Sequence, residues 1–394
     1  MKVLCVGNMY PPHHLGGYEL AWQGAVTHLR GAGHTVRVLT TDHREAGVQA
    51  PDEPDVHRDL RWYWRDHAFP RLGPIARLRL EQHNAAAFDR HVAELSPDVV
   101  AWWAMGGMSL GLIERARRRG LPAVGFVCED WMVYGPAVDQ WQRLGSHLGP
   151  LAELLGAACD APMRTDYAAA GRWVFISEAT RRAALAARGP LPDTGVSSTG
   201  IDTALMQPAR PAGWRWRLLY YGRIDPRKGI TTAIEALASL PAEATLTIDG
   251  SGDEAHVAEL RTLTARLGLG DRVVFCGRTE RLALPRVIAD ADAVVFPVTW
   301  EEPWGLVPLE SMVVGRPVLA TGRGGSGEYL RDGVNCLRFP AGDAEGLAAA
   351  VHRLAADPLL RERLRAGGVR TASGHGHERF HAAVEAGLLA VVRP

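Results

Sequence analysis

Lys228 closes the run Tyr220-Tyr221-Gly222-Arg223-Ile224-Asp225-Pro226-Arg227-Lys228-Gly229, in which an apolar strand ends at a glycine and a helix begins. Lysine is scarce in this chain of 394 residues: only Lys2 and Lys228 occur, and the other 42 of the 44 basic residues are arginines. A position that keeps an ammonium against that bias suits a compact cation with freely rotating donors, which approaches an anionic oxygen differently from a planar guanidinium. Arg223 and Lys228 together point to phosphate oxygens. The competing reading is compositional: one of two residual lysines fell in a turn.

A second constellation is Glu301-Glu302-Pro303-Trp304-Gly305-Leu306-Val307-Pro308-Leu309-Glu310-Ser311-Met312. Pro308 suits the first turn of a helix, Leu306, Leu309 and Met312 mark its buried face, and Gly315 is a stop, so the helix starts near Gly305. The unpaired amides of Gly305, Leu306 and Val307 would then offer an anion site. Side chains lean toward a helix's amino end, so Glu310 reaches back toward Glu302. Two carboxylates beside an anion site accept hydroxyl donors, as a ribose and a hexose supply. The alternative is that they complement the helix dipole for about 0.3–1 kcal/mol each, and Glu301 is assigned that part.

Positioning these groups takes strands that end where helices begin. Short apolar runs alternate with helical patterns along the chain, the signature of parallel sheets covered on both faces. Strands are expected at Val3–Gly7, Thr35–Thr40, Val99–Trp103, Ala123–Cys128 and Trp173–Ile176, then at Arg217–Tyr221, Ala244–Ile248, Val273–Cys276, Ala293–Phe296 and Pro317–Ala320. Helices are expected over Glu19–Arg30, Arg77–Leu95 and Leu110–Arg119. The segment Gln207-Pro208-Ala209-Arg210-Pro211-Ala212-Gly213 has linker character. The expected domains are therefore 1–205 and 206–375, with 376–394 a helix that packs back on the first through Phe380, Val384 and Leu388. Two doubly wound domains facing across a cleft bind ligands at strand carboxyl ends.

Composition narrows the function classes. Acidic and basic residues number 44 each, so no overall positive field recruits nucleic acid. Five scattered cysteines contain no Cys-x-x-Cys pair and read as small buried residues in a reducing cytoplasm. No apolar stretch approaches the roughly 18 residues of a membrane span, and Met1 to Gly7 is too short for a signal-peptide core. No Gly-x-Gly-x-x-Gly follows the first strand, which argues against a dinucleotide dehydrogenase.

The chain resembles glycosyltransferase family 4, the retaining GT-B enzymes, over almost its whole length. Glu302-x7-Glu310 matches that family's paired-glutamate motif, and Gly222-Arg223-x4-Lys228-Gly229 its diphosphate-binding segment. Asp249-Gly250-Ser251-Gly252 and Phe275-Cys276-Gly277 match its strand ends. The resemblance implies an α/β GT-B fold and a nucleotide-sugar donor, UDP-linked by preference, held mainly by the second domain. It implies that Arg223 and Lys228 neutralise the diphosphate, Glu310 binds the ribose and Glu302 the donor-sugar hydroxyls. Gly250, Gly277, Gly305, Leu306 and Val307 would line the donor. It also implies front-face transfer with the departing phosphate assisting acceptor deprotonation. No protein-held metal and no further cofactor are expected.

In the first half, Tyr10-Pro11-Pro12-His13-His14-Leu15-Gly16-Gly17-Tyr18-Glu19 opens a helix, and Gly16 and Gly17 let amides approach a ligand, resembling the family's amino-terminal Gly-Gly loop. His13 contacts an acceptor or is a solvated loop histidine, as is His14; His34 is read as structural. Where relatives carry a histidine near the reacting sugar, this chain has Glu129-Asp130-Trp131. Glu129 is then a candidate catalytic group and Asp130 an acceptor contact, unless Asp130 only caps the next helix. Trp103 would shape the acceptor side. Residues 58–79 hold six arginines among Trp62, Tyr63, Trp64 and Phe69, read either as a lipid- or acceptor-facing patch or as a strand followed by a solvated helix face. The expected reaction is sugar transfer to a small-molecule, glycolipid or saccharide hydroxyl; the alternatives are a GT-B nucleotide-sugar epimerase and a non-catalytic nucleotide-sugar-binding protein.

Overall fold

The computed structural model describes residues 1–14, 16–65, 68–210 and 213–392, so Leu15 of the Gly-Gly loop and Pro211 and Ala212 of the linker lie outside the described residues. The chain forms two compact units, Met1–Ser198 joined by the segment from Glu378 onward, and Thr199–His377.

The first unit is built on seven strands, β1 (Lys2–Val6), β2 (Thr35–Thr41), β3 (Val56–Leu60), β4 (Val99–Trp102), β5 (Ala123–Val127), β6 (Arg172–Phe175) and β7 (Thr194–Val196). They pair in parallel in the order β3-β2-β1-β4-β5-β6-β7. Its helices are α1 (Gly17–Gly31), α2 (Pro74–Leu95), α3 (Gly111–Arg118), α4 (Trp131–Val138), α5 (Gln140–Leu148), α6 (Leu151–Ala158) and α7 (Glu178–Arg188). Right-handed crossovers on a sheet whose order reverses between β1 and β4 place helices on both faces. That double cover is why β4 and β5 are buried along their whole length and read as unbroken apolar runs.

The second unit has β8 (Arg217–Tyr221), β9 (Thr245–Asp249), β10 (Val273–Gly277), β11 (Ala293–Phe296), β12 (Val318–Ala320) and β13 (Leu337–Arg338), in the parallel order β10-β9-β8-β11-β12-β13. Its helices are α8 (Ile230–Ala238), α9 (Glu254–Arg266), α10 (Leu284–Asp290), α11 (Leu306–Val314), α12 (Ala344–Ala356) and α13 (Pro358–Ser373). All ten strands expected from the sequence are present. The additional ones, β3, β7 and β13, are short edge strands that carry no continuous apolar run because only one flank is paired. One of them relocates the strand sought near Trp62: the ladder ends at Leu60, and Trp62 and Trp64 instead pack on each other and on His43. Arg58 belongs to no surface patch, since its guanidinium is buried against Asp52 and the carbonyls of Tyr10 and Pro11. Cys276 is exposed rather than buried, because β10 is the sheet's edge.

Helix α14 (His377–Val392) returns to the first unit and buries Phe380, Val384 and Leu388. Phe380 meets Trp103 edge-on at 6.4 Å. Glu385 takes His28 Nε2 at 2.9 Å and His34 Nε2 at 3.0 Å, and these two contacts hold its carboxyl below the usual range. Among the described residues, no helix is long and apolar enough to cross a membrane. Leu388 has no exposed surface, so Leu388→Ala is expected to cost about 2–5 kcal/mol of stability. Urea unfolding of the full chain, followed through the tryptophans clustered in the first unit, measures it; an unchanged midpoint would show that α14 adds nothing to that core.

Candidate active site

The strand order of the second unit reverses between neighbours β8 and β11, which pair through Ala293↔Leu218 and Val294↔Leu219. The segments that leave their carboxyl ends therefore cross to opposite faces and open a crevice between them. One is 222–229, the other 297–305.

Backbone contacts lock the two together. Thr299 N donates to Arg227 O at 2.9 Å, and Thr299 Oγ1 to the same oxygen at 3.1 Å. Gly229 takes φ 68°, and a Cβ there would lie 2.0 Å from Pro297 O. Asp225 starts a 3-10 turn over Pro226–Lys228 by accepting Arg227 N at 2.9 Å, which aims the Lys228 side chain across the crevice. Lys228 Nζ then meets Glu302 Oε2 at 2.7 Å.

Trp300 completes this corner. Its indole Nε1 donates to the same Glu302 oxygen at 2.8 Å, and its ring carries the Arg227 guanidinium at 4.4 Å and the Lys228 ammonium at 5.4 Å. The Glu302 main chain is held by Gly325 N, which donates to Glu302 O at 2.7 Å. Glu302 is only 8% exposed, and a carboxylate that buried requires such partners.

Helix α11 begins where the sequence places it. Gly305 is its N-cap with φ 83° and offers no side chain to cap the first amides, and Gly315 ends it in the left-handed conformation. Tyr329 OH donates to Gly305 O, fixing the entry to the helix. One turn in, Glu310 is buried; its Oε1 lies 2.5 Å from Arg281 and its Oε2 accepts Tyr221 OH at 3.3 Å. Burial pushes the Glu310 carboxyl above its ordinary range, and Arg281 opposes that shift.

Arg223 follows Gly222 with its side chain half exposed and reaches Asp225 Oδ2 only at 3.9 Å. Gly250 is held by backbone: a Cβ would sit 1.9 Å from Gly222 O, so the segments after β8 and β9 run closer than any side chain allows. Gly277, φ 75°, ends β10, and its carbonyl accepts Gly250 N at 2.7 Å. The structure thus gathers Lys228, Glu302 and the α11 amino end around one crevice, with Glu310 one turn inside. Sequence reading passed over Arg281, Trp300 and Tyr221. Arg281 is one arginine among many in a loop; Trp300 and Tyr221 adjoin the quoted motifs, and their types alone carried a signal.

The chain also contains an Asp-x-Asp triplet, Asp290-Ala291-Asp292, a pattern able to hold a divalent cation. It lies at the amino end of β11, the opposite end of the strand from the crevice, where Asp292 Oδ2 accepts Arg215 N at 2.7 Å and Arg217 N at 2.9 Å. Its geometry is that of a strand cap.

In the first unit, Gly16 caps α1 and its amide donates to Glu19 Oε2 at 3.0 Å, with Gly17 the first helical residue. His13 is 3% exposed and points inward: its Nε2 meets Arg44 at 2.9 Å and its Nδ1 accepts Glu45 N at 3.1 Å. Trp103 is fully buried, stacked on Trp22 at 5.7 Å and on Phe126 at 4.8 Å. It is a core residue in place of the expected acceptor-facing one, because Trp22 of α1, Phe126 of β5 and Phe380 of α14 enclose it. Glu129 is half-buried and accepts Tyr134 OH at 2.9 and 3.0 Å. Asp130 is the N-cap of α4, without a side-chain cap hydrogen bond.

The Arg227 contacts hold the Asp225 carboxyl down to about 2 from 3.8. A depressed folded pKa contributes stability that is complete above the unfolded value and is lost as pH falls through the folded one. Asp225→Asn is therefore expected to be less stable than wild type near neutrality, with the gap closing as the pH is lowered from 3.8 toward about 2. Urea midpoints across that window measure it, and a gap that does not vary with pH would exclude the linkage.

Residues 204–370 match the family model described as glycosyl transferases group 1. Over 388 residues the chain is 28% identical to a glycogen synthase of Mycobacterium tuberculosis, covering 92% of this chain and 88% of that protein. Anabaena HepE, solved in complex with UDP and glucose, aligns with a TM-score of 0.70 at 20% identity over 99% of this chain and 100% of that one. Sucrose-phosphate synthase from Thermosynechococcus elongatus aligns with a TM-score of 0.75 at 21% identity, over 98% and 97%. The fold is the α/β fold of the GT-B glycosyltransferases, and the stretch that matches glycosyl transferases group 1 lies within its second unit.

Proposed function

We propose that the chain is a retaining glycosyltransferase that moves a sugar from a nucleoside diphosphate sugar to an acceptor hydroxyl, with no metal needed at the diphosphate. The observation that carries this reading is the crevice itself: Lys228 and the uncapped amides of α11 converge with two buried carboxylates, one at each side of the helix entry. The match of residues 204–370 to glycosyl transferases group 1 supports it. The HepE fold was solved with UDP and glucose bound, which favours a UDP-linked sugar.

In this reading the donor diphosphate lies between Arg223, Lys228 and the α11 amides, the ribose hydroxyls reach Glu310, and the sugar hydroxyls reach Glu302. Lys228 and Glu302 pair with each other at 2.7 Å. Separating a buried pair without replacement costs about 3–5 kcal/mol, so the donor must serve both members at once: phosphate to the ammonium, hydroxyl to the carboxylate. A bare nucleotide satisfies only the first. As the bond from the anomeric carbon to the diphosphate breaks, its electron pair passes to the phosphate oxygen, where Lys228 and the amides meet the growing charge. The acceptor oxygen bonds the anomeric carbon on the same face, and its proton passes to the departing phosphate. Glu129 and Asp130, with His13 fixing the loop ahead of Gly16, belong to the acceptor side. The proposed setting is the cytoplasm.

Purified protein incubated with UDP-, GDP-, ADP- and dTDP-glucose is expected to release nucleoside diphosphate from the UDP sugar, faster once an acceptor hydroxyl is supplied. Lys228→Arg, with charge kept and geometry changed, should lower the rate at least about tenfold, and Lys228→Ala about 10²–10³-fold. Release of no nucleotide, or an isomerised donor without transfer, would overturn the proposal.

A further inference from the structure

His57 and Asp59 stand two residues apart on β3, so strand alternation turns both side chains to one face of the first sheet. Helix α2 packs against β3 and brings His91 to them. One donor atom from each of the three lies within 4.8 Å of the other two. His91 Nε2 is 2.8 Å from Asp59 Oδ2, and the two imidazole centroids are 4.7 Å apart. His57 Nε2 is buried and has no hydrogen-bond partner among the described residues. His91 is 2% exposed, and a neutral imidazole is a common metal ligand.

We propose that His57, Asp59 and His91 form a structural site for a divalent transition metal of the zinc class, which clips the edge strand β3 to α2. Two imidazoles and one carboxylate suit a borderline ion with tetrahedral preference, and water fills the fourth position; calcium and magnesium prefer all-oxygen shells. The strand needs such a clip. It pairs on one side only, with β2, and its register shifts between Leu39 and Thr41.

Two cations face the cluster and must yield. Arg90 donates to Asp59 Oδ2 at 2.7 Å, and its side chain is 51% exposed, free to swing into water as the metal takes its place. Arg37 approaches His91 Nδ1 at a long 3.3 Å and keeps a second partner in Glu94 at 2.8 Å. When Arg37 withdraws, the ring proton moves from Nε2 to Nδ1, leaving the Nε2 lone pair for the metal with no net proton released. His83 remains on the Asp59 carbonyl at 2.8 Å.

The test adds zinc chloride to the full chain after chelator treatment, in competition with a chromophoric chelator. One equivalent is expected to bind and to raise the thermal midpoint, whereas calcium or magnesium chloride raises neither. His57→Ala should retain the far-ultraviolet dichroism of wild type while losing that equivalent, with affinity weaker on the order of 100-fold. Asp59→Asn, at a side chain 40% exposed, gives the same readout if the first variant does not fold. Stoichiometric zinc uptake by either folded variant with wild-type affinity, or none by wild type, would overturn the proposal. The other histidines of the chain serve as the internal control, since their weak binding persists in every variant.

Discussion

Lys228 meets Glu302 because two parallel neighbours, β8 and β11, send their following segments to opposite faces of one sheet. The contact joins residues 74 positions apart, and no local propensity brings them together. What does so is a short set of backbone constraints: the Thr299 donors on Arg227 O, and Gly229 against Pro297 O. Each leaves no room for a side chain or an unpaired donor. Once these are in place, the 3-10 turn aims Lys228, and the left-handed Gly305 aims the amides of α11 into the same crevice. Rigid backbone makes the site, and the ion pair occupies it.

Much of this was legible beforehand, for physical reasons. Strands such as Val99–Trp102 and Ala293–Phe296 announce themselves because a doubly covered sheet has no polar face. The α11 start was legible because Gly305, Pro308 and Gly315 each obey a backbone rule that one sequence suffices to read. The rest depended on long-range partners. Nothing near Arg281 signals that it meets a glutamate 29 residues later, and β3, β7 and β13 pair on one flank with sequences as polar as loops. Trp103 misled because a tryptophan beside glycines at a strand end resembles a ligand platform, yet Trp22, Phe126 and Phe380 enclose it.

Charge is distributed by the same economy. A chain with equal numbers of acids and bases has no general field to exploit, and several of its buried ionic groups are matched by an opposite charge. Glu302 has Lys228, Glu310 has Arg281, and Arg58 has Asp52. The arginine-rich stretch that looked like a surface feature from the sequence is in part an internal fastening, since Arg58 ties the strand end at Leu60 to the loop carrying Tyr10 and Pro11. Pairing of this kind gives up little net stability while fixing geometry, because an unmatched partner left behind in the interior is far costlier than the pair itself is favourable.

Helix α14 carries a consequence for how the molecule comes into being. The second unit is one uninterrupted stretch, Thr199–His377, whereas the core of the first waits for Phe380, Val384 and Leu388. During synthesis the ribosome must therefore translate an entire later domain before the earlier one can close. The amino-terminal half spends that interval with a strip of apolar surface uncovered, and the domain made second can be the first to finish folding.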